Sequence, residues 1–215
     1  MLANAVEIVA WALPVVLAIT VHEAAHAFAA WRFGDSTARD LGRLTLNPIP
    51  HISILGTVLV PAVAILLSGM AFGWAKPVPV NLARVRSPRV AMVWVALAGP
   101  ASNLLMLIAW SLVLVNLPTP GDDASWLGGL VIACNLGVLA NVILMVFNLL
   151  PVPPLDGGRV VMALLPVSVL QRLGVWHHWV GLIVVVALVL SGVANRVIVG
   201  AIEQWIALLN TVFGS

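Results

Sequence analysis

The sequence predicts an all-α polytopic membrane protein, with about six hydrophobic segments and a short extended or β region between the first and third. Three observations carry that expectation. Of the 215 residues, 62% are hydrophobic and only 8% are charged, with a mean hydropathy of +1.11. A soluble chain carries about 25% charged residues, so most of this surface must face lipid or other apolar helices. Apolar stretches close to the spanning length of about 20 residues recur along the chain. Between the first and third of them, Gly73 to Asn81 reads Gly-Trp-Ala-Lys-Pro-Val-Pro-Val-Asn, an extended pattern.

The apolar stretches fall at roughly 6–31, 52–72, 90–117, 126–150, 176–194 and 197–213. Polar connections occupy 32–51, 73–89, 118–125 and 151–175. No basic start or small-residue cleavage site precedes Val6, so the first stretch reads as a retained span. No soluble domain, fixed-period repeat or low-complexity tail stands out. The chain reads as one membrane-embedded domain over 1–215, with a core at about 5–165 and hydrophobic helices at about 176–213.

Arginine and lysine give the orientation, because short cytoplasmic loops retain them. Nine of the ten lie in the first, second and fourth connections: Arg32, Arg39, Arg43, Lys76, Arg84, Arg86, Arg89, Arg159 and Arg172. The third connection has none and carries Asp122 and Asp123. This predicts a cytoplasmic face for the first, second and fourth, with the N-terminus outside. A simple span at 52–72 breaks that alternation. Either Pro61, Gly56 and Gly69 make it a re-entrant hairpin buried in protein, or it spans and Gly73–Asn81 returns through the interior. Nine extended residues cover about 30 Å, so both remain open.

Composition also excludes functions. The net charge is +2 and the basic residues are scattered singly, which offers nothing to track a phosphate backbone, so no nucleic-acid partner is expected. The single cysteine, Cys134, cannot build a disulfide framework.

The chemistry lies in His22-Glu23-Ala24-Ala25-His26. Residues four apart share one helix face, so both imidazoles can reach one metal ion with Glu23 beside it. Charged groups at mid-bilayer cost about 2.5–3.5 kcal/mol each, which a bound cation would offset. Two histidines hydrogen-bonded between helices are the alternative. A catalytic zinc keeps three protein ligands and one open position, so a third ligand is required. Asp35 and Asp40 follow too closely, and Asp122 and Asp123 fall on the far side. Asp156 remains, after a proline-rich run that forces an extended, kinked chain. It is either the third ligand or the N-cap of a short helix at 157–165.

These motifs resemble the site-2 protease family, intramembrane zinc metalloproteases, in a minimal bacterial or archaeal form. The first signature is His22-Glu23-x-x-His26. The second is Asn148-x-x-Pro151 followed by Leu155-Asp156-Gly157, and Gly99-Pro100-x-x-Asn103 matches a third element on a core helix. Asn47-Pro48 with His51, and Gly73 to Val80, resemble a subgroup lacking appended PDZ or CBS modules. The likeness covers about residues 5–165. It implies Zn2+ held by His22, His26 and Asp156, with Glu23 as the catalytic base. It also implies single-span membrane-protein substrates cut within the lipid bilayer, and a multi-pass cell-membrane location with the site toward the cytoplasm. Asn148, Asn103 and His51 are candidates to bind the oxyanion or substrate. Where the subgroup has an Asp two positions after the histidine, this chain has Ser53.

Three other functions compete. A metal-dependent lipid hydrolase is disfavoured only by the Pro77-Val78-Pro79-Val80 segment, which suits a peptide added as a strand. A zinc transporter would line a path across the bilayer with several carboxylates and histidines, whereas here the motif is one compact cluster. A scaffold with a degenerate fold would have lost Glu23 or a ligand. Endopeptidase chemistry is the stronger expectation.

Overall fold

In the computed structural model, the described residues are 2–59, 75–118, 125–173 and 176–214. Among them every regular element is helical. The principal helices are α1 (Leu2–Arg32), α2 (Pro88–Val115), α3 (Ser125–Asn148), α4 (Asp156–Leu164), α5 (Val167–Leu173), α6 (Trp176–Leu190) and α7 (Val193–Phe213).

Four stretches are long and apolar enough to cross a membrane: Val9–Arg32, Pro88–Val115, Trp126–Asn148 and Val193–Phe213. Of the about six expected hydrophobic segments, four are thus helices of spanning length among the described residues. The stretch expected at 176–194 forms α6, whose 15 residues reach only about 22 Å, short of the roughly 30 Å hydrocarbon core. The stretch at 52–72 begins with a π-helical turn at Ile54–Leu59. Its remainder falls on 60–74, outside the described residues, and so does the question of whether it spans or re-enters.

Helices α1, α2 and α3 pack against one another, α4 packs on α2, and α7 lies on α3. Small residues line the shared interior: Ala18, Ala24, Ala27 and Ala30 on α1, Ala91 and Ala96 on α2, and Ala133 and Cys134 on α3 are all buried. Between lipid-soluble helices water supplies no hydrophobic drive, so close backbone approach through small side chains takes its place. The large apolar residues point outward instead, with Trp11, Trp94, Leu105 and Ile183 all exposed. This inside-out distribution belongs to a multi-pass membrane protein.

The expected extended or β region falls on 75–80, which forms no regular element, and the described residues contain no strand. Pro77 and Pro79 carry no N–H, so the segment cannot complete a β-ladder. Individual bonds hold it instead. Lys76 N–H donates to the His51 carbonyl at 2.9 Å, and Val78 N–H donates to the Glu23 carboxylate at 3.1 Å. Asn81 N–H donates to Asp35. Val78 and Val80 pack with Ala27, Ala38 and Leu44, so the segment is docked along the end of α1.

Candidate metal centre

Helical spacing on α1 places His22 and His26 on one face, and Glu23 precedes His26 by three residues on its flank. Both histidines are buried, as is Asp156 at the first turn of α4. The N-cap of α4 is Leu155 and makes no side-chain cap bond. Asp156 thus does not act as the helix cap. Its carboxylate turns inward: Oδ2 lies 3.3 Å from His22 Nε2 and 3.2 Å from His26 Nε2. The two Nε2 atoms are 3.0 Å apart.

The far side of each imidazole fixes its proton. His26 Nδ1 lies 2.7 Å from the Val95 carbonyl, which can only accept, so Nδ1 carries the hydrogen. His22 Nδ1 meets the Asn103 Oδ1 atom. That amide is oriented by its own donations, from Nδ2 to Asn141 Oδ1 at 2.8 Å and to the Ala18 carbonyl at 3.3 Å. With its hydrogen on Nδ1, each ring in its neutral form presents an Nε2 lone pair to the centre. Two lone pairs and a carboxylate oxygen face one another, and Asp156 Oδ2 is buried with no hydrogen-bond partner. Three converging acceptors repel unless a positive charge, a metal ion or a proton, sits among them.

The residues fit zinc. Tetrahedral coordination at about 2.0–2.2 Å separates donor atoms by roughly 3.3–3.5 Å, close to the observed triangle. His22, His26 and Asp156 form the only such His/Cys/Asp/Glu cluster found among the described residues. The outer oxygen of Asp156 faces Arg159 Nη1 at 3.6 Å, leaving Oδ2 toward the histidines. Gly99 of α2 makes room for them: a Cβ there would lie 2.5 Å from His22 Cε1 and from His26 Nε2. Gly157 and Gly158 serve the other wall. A Cβ on either would strike the backbone of Leu149–Leu150 or Val152–Pro153, so the proline-rich turn folds tightly over the start of α4.

A match to the model of peptidase family M50 covers residues 122–192, which includes the Asn148-to-Asp156 signature. YwhC of Bacillus subtilis, provisionally named a zinc metalloprotease, is 42% identical over 163 residues, covering 75% of this chain and 71% of that protein. The chain belongs to peptidase family M50. Two further relatives carry the same provisional description under the name Rip2. The Mycolicibacterium smegmatis protein is 32% identical over 84% of this chain and 66% of its own length. The Mycobacterium tuberculosis protein is 33% identical over 66% of this chain and 51% of its own length. The chain therefore spans between half and about seven-tenths of these relatives. No solved structure matches it. As an M50 member, and so of the site-2 protease family, it is a zinc metalloprotease.

The remaining candidates fall in different places. Asn103 is fully buried and both of its amide hydrogens are taken. Its amide is thus occupied behind His22, donating to Asn141 and to the Ala18 carbonyl. Asn148 donates to the Leu144 carbonyl of its own helix at 2.9 Å. His51 is 2% exposed, which rules out a merely solvated loop histidine. Its Nε2 donates to the Thr45 carbonyl at 3.0 Å, while its Nδ1 is buried without a partner. Ser53, standing where the subgroup has Asp, accepts the Gly56 N–H at 3.0 Å.

Sequence reasoning missed Asn141 and Val78, and set Asp35 aside as a ligand without seeing what it holds. Asn141 had a readable signal: it interrupts an apolar helix two turns before Asn148, on the same face. Val78 had none, because what it supplies is a backbone N–H. Asp35 does not join the metal cluster. It is buried and accepts hydrogen bonds from Thr37 and Asn81. Burial raises its carboxyl, but those bonds and nearby Arg84 outweigh it, and the net shift is downward.

Proposed function

We propose that this M50 protease is an endopeptidase that cuts single-span membrane proteins inside their transmembrane segments. The observation that carries the reading is the triangle of His22, His26 and Asp156, two of whose members, His22 and His26, lie on a helix apolar enough to span a bilayer. In this reading those three residues hold Zn2+ and Glu23 is the general base. Zinc in such a site lowers the pKa of water toward about 7 and polarises the peptide carbonyl.

The protein's own groups do the rest. Glu23, steadied by the Val78 N–H, takes the proton of the attacking water and returns it to the leaving amine. Asn103 and the Val95 carbonyl hold the imidazoles with their Nε2 atoms toward the metal. In this reading Asn148, whose amide donates one hydrogen to the Leu144 carbonyl, donates the other to the developing oxyanion. His51, anchored under the extended segment, orients the chain that meets the substrate. A site toward the cytoplasmic face of a cell membrane is supported by the nine basic residues of the first, second and fourth connections.

The test is direct. The purified protein is incubated with single-span substrates, with and without a chelator, and the products are resolved by mass. Cleavage that stops with chelator and returns with zinc supports the reading. Chelator-resistant cleavage, or zinc binding with no cleavage of any membrane segment, would overturn it.

A further inference from the structure

We infer that Asn141 is a positioning residue for the metal centre, acting through Asn103 to fix the tautomer of His22. This rests on His22 being a metal ligand. The relay crosses all three core helices. On α3, Asn141 Nδ2 donates to the Gly137 carbonyl at 2.7 Å, and a carbonyl can only accept, so Oδ1 of Asn141 must face the other way. That oxygen accepts from Asn103 Nδ2 on α2 at 2.8 Å. Asn103 Oδ1 is thereby turned toward His22 Nδ1 on α1. The order ends with the hydrogen on Nδ1 and the lone pair of Nε2 toward Asp156.

Asn141, Asn103 and His22 are all buried, so water cannot replace a lost partner. An asparagine amide alone has no reason to prefer one orientation over its flip. With Asn103 reversed, its Oδ1 would face the Asn141 oxygen and the Ala18 carbonyl, both acceptors. Its Nδ2 would then face His22 Nδ1 and drive the hydrogen onto Nε2, where it blocks a ligand position. The Ala18 contact is the longer of the two, at 3.3 Å, so Asn141 is the stronger determinant. Groups that orient a ligating histidine commonly change metal affinity by about 10–100-fold.

The experiment measures zinc affinity of purified variants by competition with a coloured chelator, together with the visible spectrum of the Co2+-loaded protein. Asn141→Leu removes both polar ends at similar size, and is expected to weaken zinc binding by about 10–100-fold with helical content intact. Asn141→Asp, held neutral by burial, offers one oxygen and one O–H in the same places and is expected to stay close to wild type. Asn103→Leu with Asn141→Leu is expected to lose no more than Asn103→Leu alone, since the two act in series. A folded Asn141→Leu with wild-type affinity, a large loss in Asn141→Asp, or losses that add in the double variant would each overturn the relay. If Asn141→Leu does not fold, the Asp variant decides alone. His22→Ala separates the two readings: zinc retained there refutes the ligand assignment, whereas zinc lost there but kept in Asn141→Leu refutes only the relay.

Discussion

The backbone N–H of Val78 donates to the carboxylate of Glu23 at 3.1 Å, joining the general base proposed for the site to a segment 55 residues away in sequence. Glu23 would otherwise be free to rotate about three side-chain bonds. Pro77 and Pro79 on either side have no N–H, so Val78 is the local donor. Glu23→Gln keeps an oxygen for that bond and keeps all three metal-facing residues. It is expected to lower cleavage by about 10²–10⁴-fold or more while zinc content stays at the wild-type level. Metal analysis beside an activity assay in detergent checks it; zinc lost along with activity would make Glu23 a ligand.

Asp156→Ala leaves two imidazoles and an under-filled site. Zinc content after dialysis should fall sharply, and activity with it. A variant with full zinc occupancy would show that the third ligand lies elsewhere.

Gly99→Ala puts a methyl group 2.5 Å from His22 Cε1 and His26 Nε2, closer than real side chains approach. The imidazoles or α2 must move, at a cost of about 1–3 kcal/mol for overpacking. Zinc affinity and cleavage should both drop while helical content by circular dichroism is retained. A Gly99→Ala protein that binds zinc normally would mean that α2 can shift away from α1 without disturbing the site.

Asp35 carries the pH dependence. Its folded carboxyl sits below its ordinary value, so its contribution is present above the unfolded pKa and is lost as pH falls through the folded one. Asp35→Asn keeps one acceptor oxygen and loses the charge. At neutral pH it should cost about 1–3 kcal/mol through weakened bonds to Thr37 and Asn81. The gap in thermal midpoint between wild type and variant should narrow as pH drops below about 4. A gap that widens toward acid would contradict the assignment.

Depth follows from the geometry of α1. His26 and His22 lie 6 and 10 residues before Arg32, which puts the metal-facing atoms roughly 9–15 Å below the interface at 1.5 Å per residue. A helical substrate hides its carbonyls, so it must unwind to be cut. Cleavage sites should cluster in the cytoplasmic half of the membrane segment, and Gly, Pro or Asn near the cut should accelerate it. Mass spectrometry of the products decides; cuts in the other half would reverse the orientation.

The His22–His26 pair was legible from sequence because it depends on one helix. A spacing of four residues at 3.6 per turn sets a shared face whatever the rest of the chain does. The spans at α1, α2, α3 and α7 were legible for a similar reason: hydrocarbon demands about 20 apolar residues wherever they occur. Which role Asp156 plays was not local, since residue composition allowed both a cap and a ligand. Only the fold of the 148–156 turn, tight against Gly157 and Gly158, aimed its oxygen at imidazoles on α1. The extended 75–80 segment could be read as extended but not as the holder of Glu23, because a backbone N–H leaves no mark in a side-chain pattern. Asn103 could be noticed as a polar residue in a span, yet its partners on α1 and α3 exist only after three helices pack. Local periodicity thus carries the His22–His26 pair, while the tautomers, the aim of the Asp156 carboxylate and the support of Glu23 depend on contacts between segments far apart in the chain.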